Sequence, residues 1–251
     1  YSTDRPQQTV SADGNYFKGN NEFKFGFSYR DVKVTSFSGL PGGGMMFYDG
    51  YPNYIGYVYR DYNPATSSKY ISGYASDTFT KDRFTLNAGV RWDRYTGWMP
   101  EQKQLAFTNG PVSVPAQTFP EKTFYTWNSF APRIGVTFDL AGDGKTVLRG
   151  AYGISFGQIM GVSYGMTRLN APQVRVYQVT APDLINPLGG NLQQRAETVY
   201  SLSPDLIPPY VHHYSFGIER ATAFGMTVRA GYVGTRTFHL LTQQVYNRAR
   251  P

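Results

Sequence analysis

Three times along this 251-residue chain a run of residues alternates between apolar and polar, turns within two to five residues, and alternates again. The clearest run is Arg83 to Tyr95, where Phe84, Leu86, Ala88, Val90 and Trp92 interleave with Thr85, Asn87, Gly89, Arg91 and Asp93. A period of two sends the two sets to opposite faces of a strand. It is incompatible with a helix, whose side chains recur every 3.6 residues. A sheet apolar outside and wet inside is the pattern of a transmembrane β-barrel wall, and the expected fold class is all-β, an antiparallel barrel wall.

The arrangement recurs in Phe130 to Leu140, where Phe130, Pro132, Ile134, Val136, Phe138 and Leu140 oppose Ala131, Arg133, Gly135, Thr137 and Asp139. After the turn AGDGK, Thr146 to Phe156 sets Leu148, Tyr152, Ile154 and Phe156 against Arg149, Gly153 and Ser155. A third hairpin alternates Tyr214, Phe216 and Ile218 with Ser215, Gly217 and Glu219. It turns near 221–225 and returns with Met226, Val228, Ala230 and Tyr232 against Thr227, Arg229 and Gly231. Upstream, a weakly alternating strand lies within Gln8 to Phe17, and Glu22 to Phe37 follows with Phe23, Phe25, Phe27 and Tyr29 on one face. Its phase slips at Asp31, which predicts a bulge or emergence from the membrane. Pro132 has no N–H for a ladder, which predicts a bulge or ragged pairing there. For Tyr70 to Phe79 the alternation leaves the outward side open.

The sequence holds roughly eight strands of about 10 residues each, the length a tilted membrane strand needs. The whole chain, 1–251, reads as one partial barrel domain with hairpins about 70–95, 129–156 and 210–238 and long loops about 38–69, 97–126 and 157–209. Unstructured loops beyond about 15 residues are uncommon in compact domains. Outer-membrane barrels have just this asymmetry, with short periplasmic turns and long extracellular loops. Eight strands could close into the smallest barrels; if they belong to a wider cylinder, as the resemblance described below implies, an open, curved sheet is expected.

Composition agrees. Aromatics reach 16%, with 21 Tyr and 17 Phe, while only 16% of residues are charged, against a usual quarter or so. No apolar run approaches the length of a spanning helix. The mean hydropathy of −0.41 carries little weight, because alternation dilutes the signal of each strand. A net charge of +7 raises nucleic acid as a partner, but the basic residues are scattered singly, so none is expected. The absence of cysteine removes disulfides, thiolate metal sites and Cys nucleophiles. The chain opens YSTDRPQQTV, without the basic and apolar regions of a signal peptide, and is expected to be a mature or internal piece of an exported barrel.

Motifs for chemistry are weak. Gly144, Lys145 and Thr146 echo the end of a P-loop, but the first glycine would fall at Asp139. Asp139, Asp143 and Gly144 lack the alternating ligands and closing Glu of a calcium loop. His212 and His213 are strand neighbours that point to opposite faces and cannot chelate together, and His239 stands apart. Gly42, Gly43 and Gly44 have no strand-to-helix context for phosphate binding. No catalytic arrangement, metal site or cofactor is expected.

The stretches YASDTFTKDRFTLNAGVRWDRY, SFAPRIGVTFDLAGDGKTVLRGAYGISFG and HHYSFGIERATAFGMTVRAGYVGTRTFHL, with NEFKFGFSYRDV before them, resemble the barrel of TonB-dependent outer-membrane receptors. The resemblance is to the Oar-like group in particular, which carries a carboxypeptidase-regulatory-like domain before the plug. It implies a barrel of about 22 strands in the outer membrane of a Gram-negative-type bacterium. It also implies surrounding lipid, a plug domain and TonB as partners, and active uptake of a scarce ligand. The signal sequence, TonB box, plug and aromatic C-terminal residue of such receptors are not in this sequence, which ends NRARP, so a fragment of one wall is expected. The alternative function is a passive porin or surface-binding module without TonB coupling.

On this reading Arg91, Asp93, Arg133, Asp139, Arg149, Glu219 and Arg229 face the lumen, where they brace and solvate the wall. Tyr48, Tyr51, Tyr54, Tyr57, Tyr59, Trp92, Tyr95, Trp98 and Trp127 lie in loops or at strand ends, and interface girdles account for some of them. Tyr48, Tyr51, Tyr54, Tyr57 and Trp98 are the candidates for ligand contact at the outer mouth.

Overall fold

A computed structural model describes residues 2–37, 39, 45–48, 55–59, 63–159, 161–169, 175–180, 185, 191–194 and 199–244. Strands β1 (Ser2–Asp4) and β2 (Gln7–Lys18) both pair with β3 (Asn21–Phe37), so Arg5 and Pro6 interrupt a single edge strand. The next loop contains β4 (Met45–Tyr48) and β5 (Ile55–Tyr59). A hairpin of β6 (Ala65–Lys81) and β7 (Phe84–Met99) follows. Small ribbons pair β8 (Gln102–Gln104) with β11 (Gln117–Phe119), and β9 (Phe107–Asn109) with β10 (Val112–Val114). Then come β12 (Lys122–Asp139) and β13 (Thr146–Phe156). A short helix α1 (Gly161–Gly165), a 3-10 turn at Met166–Leu169, β14 (Arg175–Thr180) and β15 (Asn191–Gln194) occupy the loop before the last hairpin, β16 (Tyr210–Ala221) and β17 (Thr227–Phe238). β14 and β15 join β4 and β5 in a separate four-stranded sheet.

The wall is one antiparallel sheet in the order β1/β2, β3, β6, β7, β12, β13, β16, β17, open because its first and last strands do not meet. Apart from α1 and its 3-10 turn, the described elements are all strands. The fold is the expected open, curved barrel wall.

Register assigns the faces. Phe27 pairs with Gly73, Gly73 with Trp92 and Trp92 with Phe130; the same side carries Leu86, Val136, Phe216 and Tyr232. The opposite side carries Ser28, Ser72, Asp93 and Ser129. The undecided strand is thereby oriented, with Ile71, Gly73, Ala75, Asp77 and Phe79 outward and Tyr70, Ser72, Tyr74, Ser76 and Thr78 inward. Val90, Ile134, Phe216 and Val228 are 47%, 46%, 59% and 58% exposed. Leu86, Val136, Leu148 and Ile154 are half-buried by their neighbours in the sheet, and no described element packs across them. A soluble sandwich would bury this face under a second sheet; here it is left for lipid. One outward residue breaks the pattern: Asp77, between Phe23 and Ala88, has a buried Oδ1 without a hydrogen-bond partner.

The register also fixes the slope of the strands. A row running through Lys18, Asn21, Phe79, Leu86, Val136, Gly150, Phe216 and Tyr232 touches the β2–β3 turn, yet crosses β16 and β17 about five residues short of theirs. Five residues of rise across six strand spacings is a tilt of about 30°, near the slope of closed barrels.

Two local expectations each resolve to one of their alternatives. Both ladders pass Asp31 without a shift, Gln8 pairing on one side and Lys69 on the other, so there is no bulge. Asp31 lies about ten residues above the turn, the length of a crossing, and the phase slip marks emergence. At Pro132 the ladder to β7 is regular, and the irregularity sits instead between Thr123 and Tyr125. What Pro132 limits is the other side. Leu140 donates from β12 to Thr146 of β13, and alternation aims the nitrogen of every even residue the same way. Pro132 has no hydrogen there, and pairing with β13 runs only from Arg133 to Asp139. The strands β3, β6, β7 and β12, of 17, 17, 16 and 18 residues, exceed the length of a crossing and project beyond the loop rim, while β13, of 11, stops near it. The loops are therefore shorter than alternation implied, because 65–69, 97–99 and 122–126 are already strand.

Ile134→Arg, on the lipid face near mid-span, is expected to lower the stability of the intact barrel by about 2–4 kcal/mol, and Asn87→Arg on the lumen face to be mild. Chemical denaturation of the barrel in lipid vesicles measures both.

Candidate functional site on the lumen face

Above the membrane span the lumen face changes from polar to aromatic. Tyr70 pairs with Tyr95 and Tyr95 with Trp127, so three rings lie in one row. Tyr70 and Tyr95 stack with centroids 4.2 Å apart, and Tyr125 stacks on Trp127 at 4.6 Å. Gly97 lies opposite Tyr125, and a side chain there would run into the Tyr125 ring. The irregularity after Thr123 inserts Phe124 as an extra residue, so that Phe124 and Tyr125 both reach this cluster.

The loop after β13 folds inward onto these rings. Ile159 and Tyr164 are buried with Tyr95, Tyr125 and Trp127, and Leu202 and Leu206 pack against them. Three hydrogen bonds fasten it: Tyr95 Oη donates to Ile159 O at 2.8 Å, Trp127 Nε1 to Leu206 O at 2.8 Å, and Tyr164 Oη to Ser67 O at 3.2 Å. The Tyr125 hydroxyl is buried without a partner. Burial pushes the Tyr125 and Tyr164 hydroxyls above their ordinary value, so both stay neutral.

Beneath this strap lies a cavity of about 170 Å³, bounded by Tyr70, Tyr95 and Trp127 above and by Arg91, Asp93 and Arg133 below. Arg91 and Asp93 form a two-pronged pair, Nε to Oδ1 and Oδ2 at 2.9 and 3.0 Å and Nη2 to Oδ1 at 2.9 Å. Arg133 lies diagonally across from Arg91 and pairs with Gly153 on its other side.

The sequence-derived lumen residues thus divide. Arg91, Asp93 and Arg133 meet at the cavity. Glu219 and Arg229 pair with each other near the opposite rim at 2.9 Å, and Arg149 stands between Thr137 and Gly217. Asp139 serves its own turn, its two oxygens accepting from the amides of Gly142 and Gly144 at 3.0 and 2.8 Å. Both glycines have positive φ, 76° and 70°, which explains the composition of AGDGK.

Of the aromatic candidates, Tyr51 and Tyr54 lie outside the described residues. Tyr48 ends β4 and Tyr57 and Tyr59 lie in β5, their side chains also outside the description. Trp98 is on the outer surface near Lys69, whose Nζ is 5.8 Å from its ring, and does not meet the cavity. Trp92 faces lipid, whereas Tyr95 and Trp127 face inward and are not girdle residues. Their parity with Arg91 and Arg133 carried that signal in the sequence. Tyr164, Ile159, Leu202 and Leu206 had none, because their loop has no period. At the lipid-facing loop rim, Tyr152 and His212 bond at 2.7 Å, and Tyr210 packs between Phe156 and Phe238.

The sequence matches the family described as outer membrane beta barrel domain over residues 2–251. The chain belongs to that family. This outer-membrane barrel domain is accordingly a component of the Gram-negative outer membrane. No curated protein matches it in sequence. Among solved structures it resembles the ferric-catecholate import receptor Fiu from Escherichia coli K12 in its closed form, with a TM-score of 0.51 and 13% identity, over 94% of this chain and 31% of that one. It is also similar to the alcaligin outer-membrane receptor FauA from Bordetella pertussis, with a TM-score of 0.36 and 14% identity, over 93% of this chain and 33% of that one. The barrel domain thus spans about a third of these receptors' length, and at such identity the Fiu likeness speaks to fold.

Trp127→Ala removes a buried ring and the bond to Leu206, and is expected to weaken strap docking by about 3–5 kcal/mol. Limited proteolysis within 157–209 reads the release. The tyrosines give a pH dependence. Their folded-state values lie above the ordinary 10.0, so their contribution is complete below that value and is lost as pH rises past it. Tryptophan emission from the strap region should be flat from neutrality to about pH 9 and change above about pH 10.

Proposed function

We propose that the chain forms part of the wall and ligand-facing mouth of a TonB-dependent outer-membrane receptor of the Oar-like kind, taking up a scarce ligand by energy-coupled transport. The observation that carries this reading is the inward strap. A loop fastened by three hydrogen bonds and a buried aromatic cluster occupies the lumen side of the mouth, next to a recess lined by both aromatic and charged side chains. A mouth narrowed by a fastened loop and bordered by such a recess is suited to recognition. The four stretches quoted above, in the family's order, support the same reading. Arg149 and the Glu219–Arg229 pair lie lower on the lumen face, where they would meet a plug. The reading gives the chain no catalytic role.

The complete gene product carrying this chain is expected to show no steady conductance in planar bilayers and to bind the periplasmic domain of its host's TonB. A steadily open channel that ignores TonB would instead establish the passive porin.

A further inference from the structure

We propose that the recess beneath the strap is a binding subsite for a ring-sized group bearing a carboxylate. The inference rests on the receptor reading for its biological use, but on the wall alone for its chemistry.

Three features define the ligand. The first is charge: the floor holds two inward-facing guanidiniums, Arg91 and Arg133, against one carboxylate, Asp93, while Arg94, which also borders the recess, is on the outward side of its strand. Asp93 is engaged by Arg91 through two hydrogen bonds, whereas Arg133 has no ion-pair partner among the described residues. The local surplus is one positive charge, carried by a planar fork suited to an oxyanion.

The second feature is size and lining. About 170 Å³ is close to the volume of a cavity that accepts benzene, and the upper wall presents Tyr70, Tyr95 and Trp127. An aromatic or cyclic body fits against those rings while its acidic group reaches down to Arg133. Ser129 and Ser155, also at the edge, offer hydroxyls to the second oxygen.

The third feature is that the site follows from the backbone. Pro132 ends the β12–β13 ladder, the two strands part above it, and Ser155 to Gln158 of the departing chain form one side of the recess opposite Ser129 and Ala131. Arg133 pairs with Gly153 in the last step of that ladder, at the base of the recess. The strap packs on the same rings, tied there by the Tyr95 bond to Ile159, and lends Gly157 and Gln158 to the lining.

The test is equilibrium calorimetry on the full gene product in detergent micelles, with benzoate as the probe and benzamide as its neutral counterpart. Benzoate should bind at least tenfold more tightly than benzamide. Arg133→Gln should bring benzoate down to the benzamide level, while Arg149→Gln, which removes the same charge from the lumen face outside the recess, should leave it unchanged. Far-ultraviolet circular dichroism verifies that each variant retains its sheet. Absence of benzoate binding, equal affinity for the two probes, or equal losses from the two arginine variants would overturn the subsite. Because no energy coupling enters this measurement, failure of the receptor reading leaves it standing, and lack of benzoate binding in a protein that engages TonB refutes the subsite alone.

Discussion

Hydrocarbon offers no water to an unpaired backbone N–H or C=O, and the rest of this structure depends on that constraint. Inside a bilayer a strand must be hydrogen-bonded on both sides by other strands. Pairing both sides commits the side chains to two faces, one toward lipid and one toward the lumen, and the alternation in Arg83–Tyr95 is the covalent record of that division. The exposed apolar band, the tilt of the strands and the short turns at one rim all follow from keeping the ladder unbroken across the membrane. Pro132 ends the β12–β13 ladder for a local reason, having no N–H to donate toward β13.

Beyond the rim the constraint lapses, and a different one takes over. Strands β3, β6, β7 and β12 continue into water, where their inner face no longer needs to be polar, and it becomes aromatic at Tyr70, Tyr95, Tyr125 and Trp127. Rings of this size exposed in an aqueous mouth call for a cover. The chain supplies one from its own loop, satisfying the Tyr95 and Trp127 donors with the carbonyls of Ile159 and Leu206. The wall thus carries a small protein core inside its mouth, distinct from the lipid-facing surface below it.

How much of this was legible in the sequence depends on period. Within the membrane the repeat of two identified the hairpins and the outward set, and parity alone placed Arg91, Asp93 and Arg133 together. It gave no answer for Tyr70–Phe79, where two tyrosines, two serines and a threonine alternate with Ile71, Gly73, Ala75, Asp77 and Phe79 and neither face is distinctly apolar; pairing of Ala75 with Val90 and Phe79 with Leu86 decided it. Asp139 shared the parity of lumen residues but was claimed by the glycine amides of its turn, a local competition that alternation does not register. The aromatic strap was unreadable because it forms between segments about 30 residues apart or more, from loop residues with no repeat to betray them. Tyr95 and Trp127 invited a girdle reading by their residue type, although their positions argued for the inside.

The seam between β12 and β13 has a mechanical meaning. It joins seven residue pairs, against sixteen between β7 and β12 and eleven between β13 and β16. Resistance to shear along a strand boundary grows with the number of bonds loaded together, so a force applied across this wall concentrates on its shortest join. The tall panel from β2 to β12 and the low panel from β13 to β17 are therefore the units that would hinge or part first. Within this sheet, the line along β12 and β13 is the one that yields first.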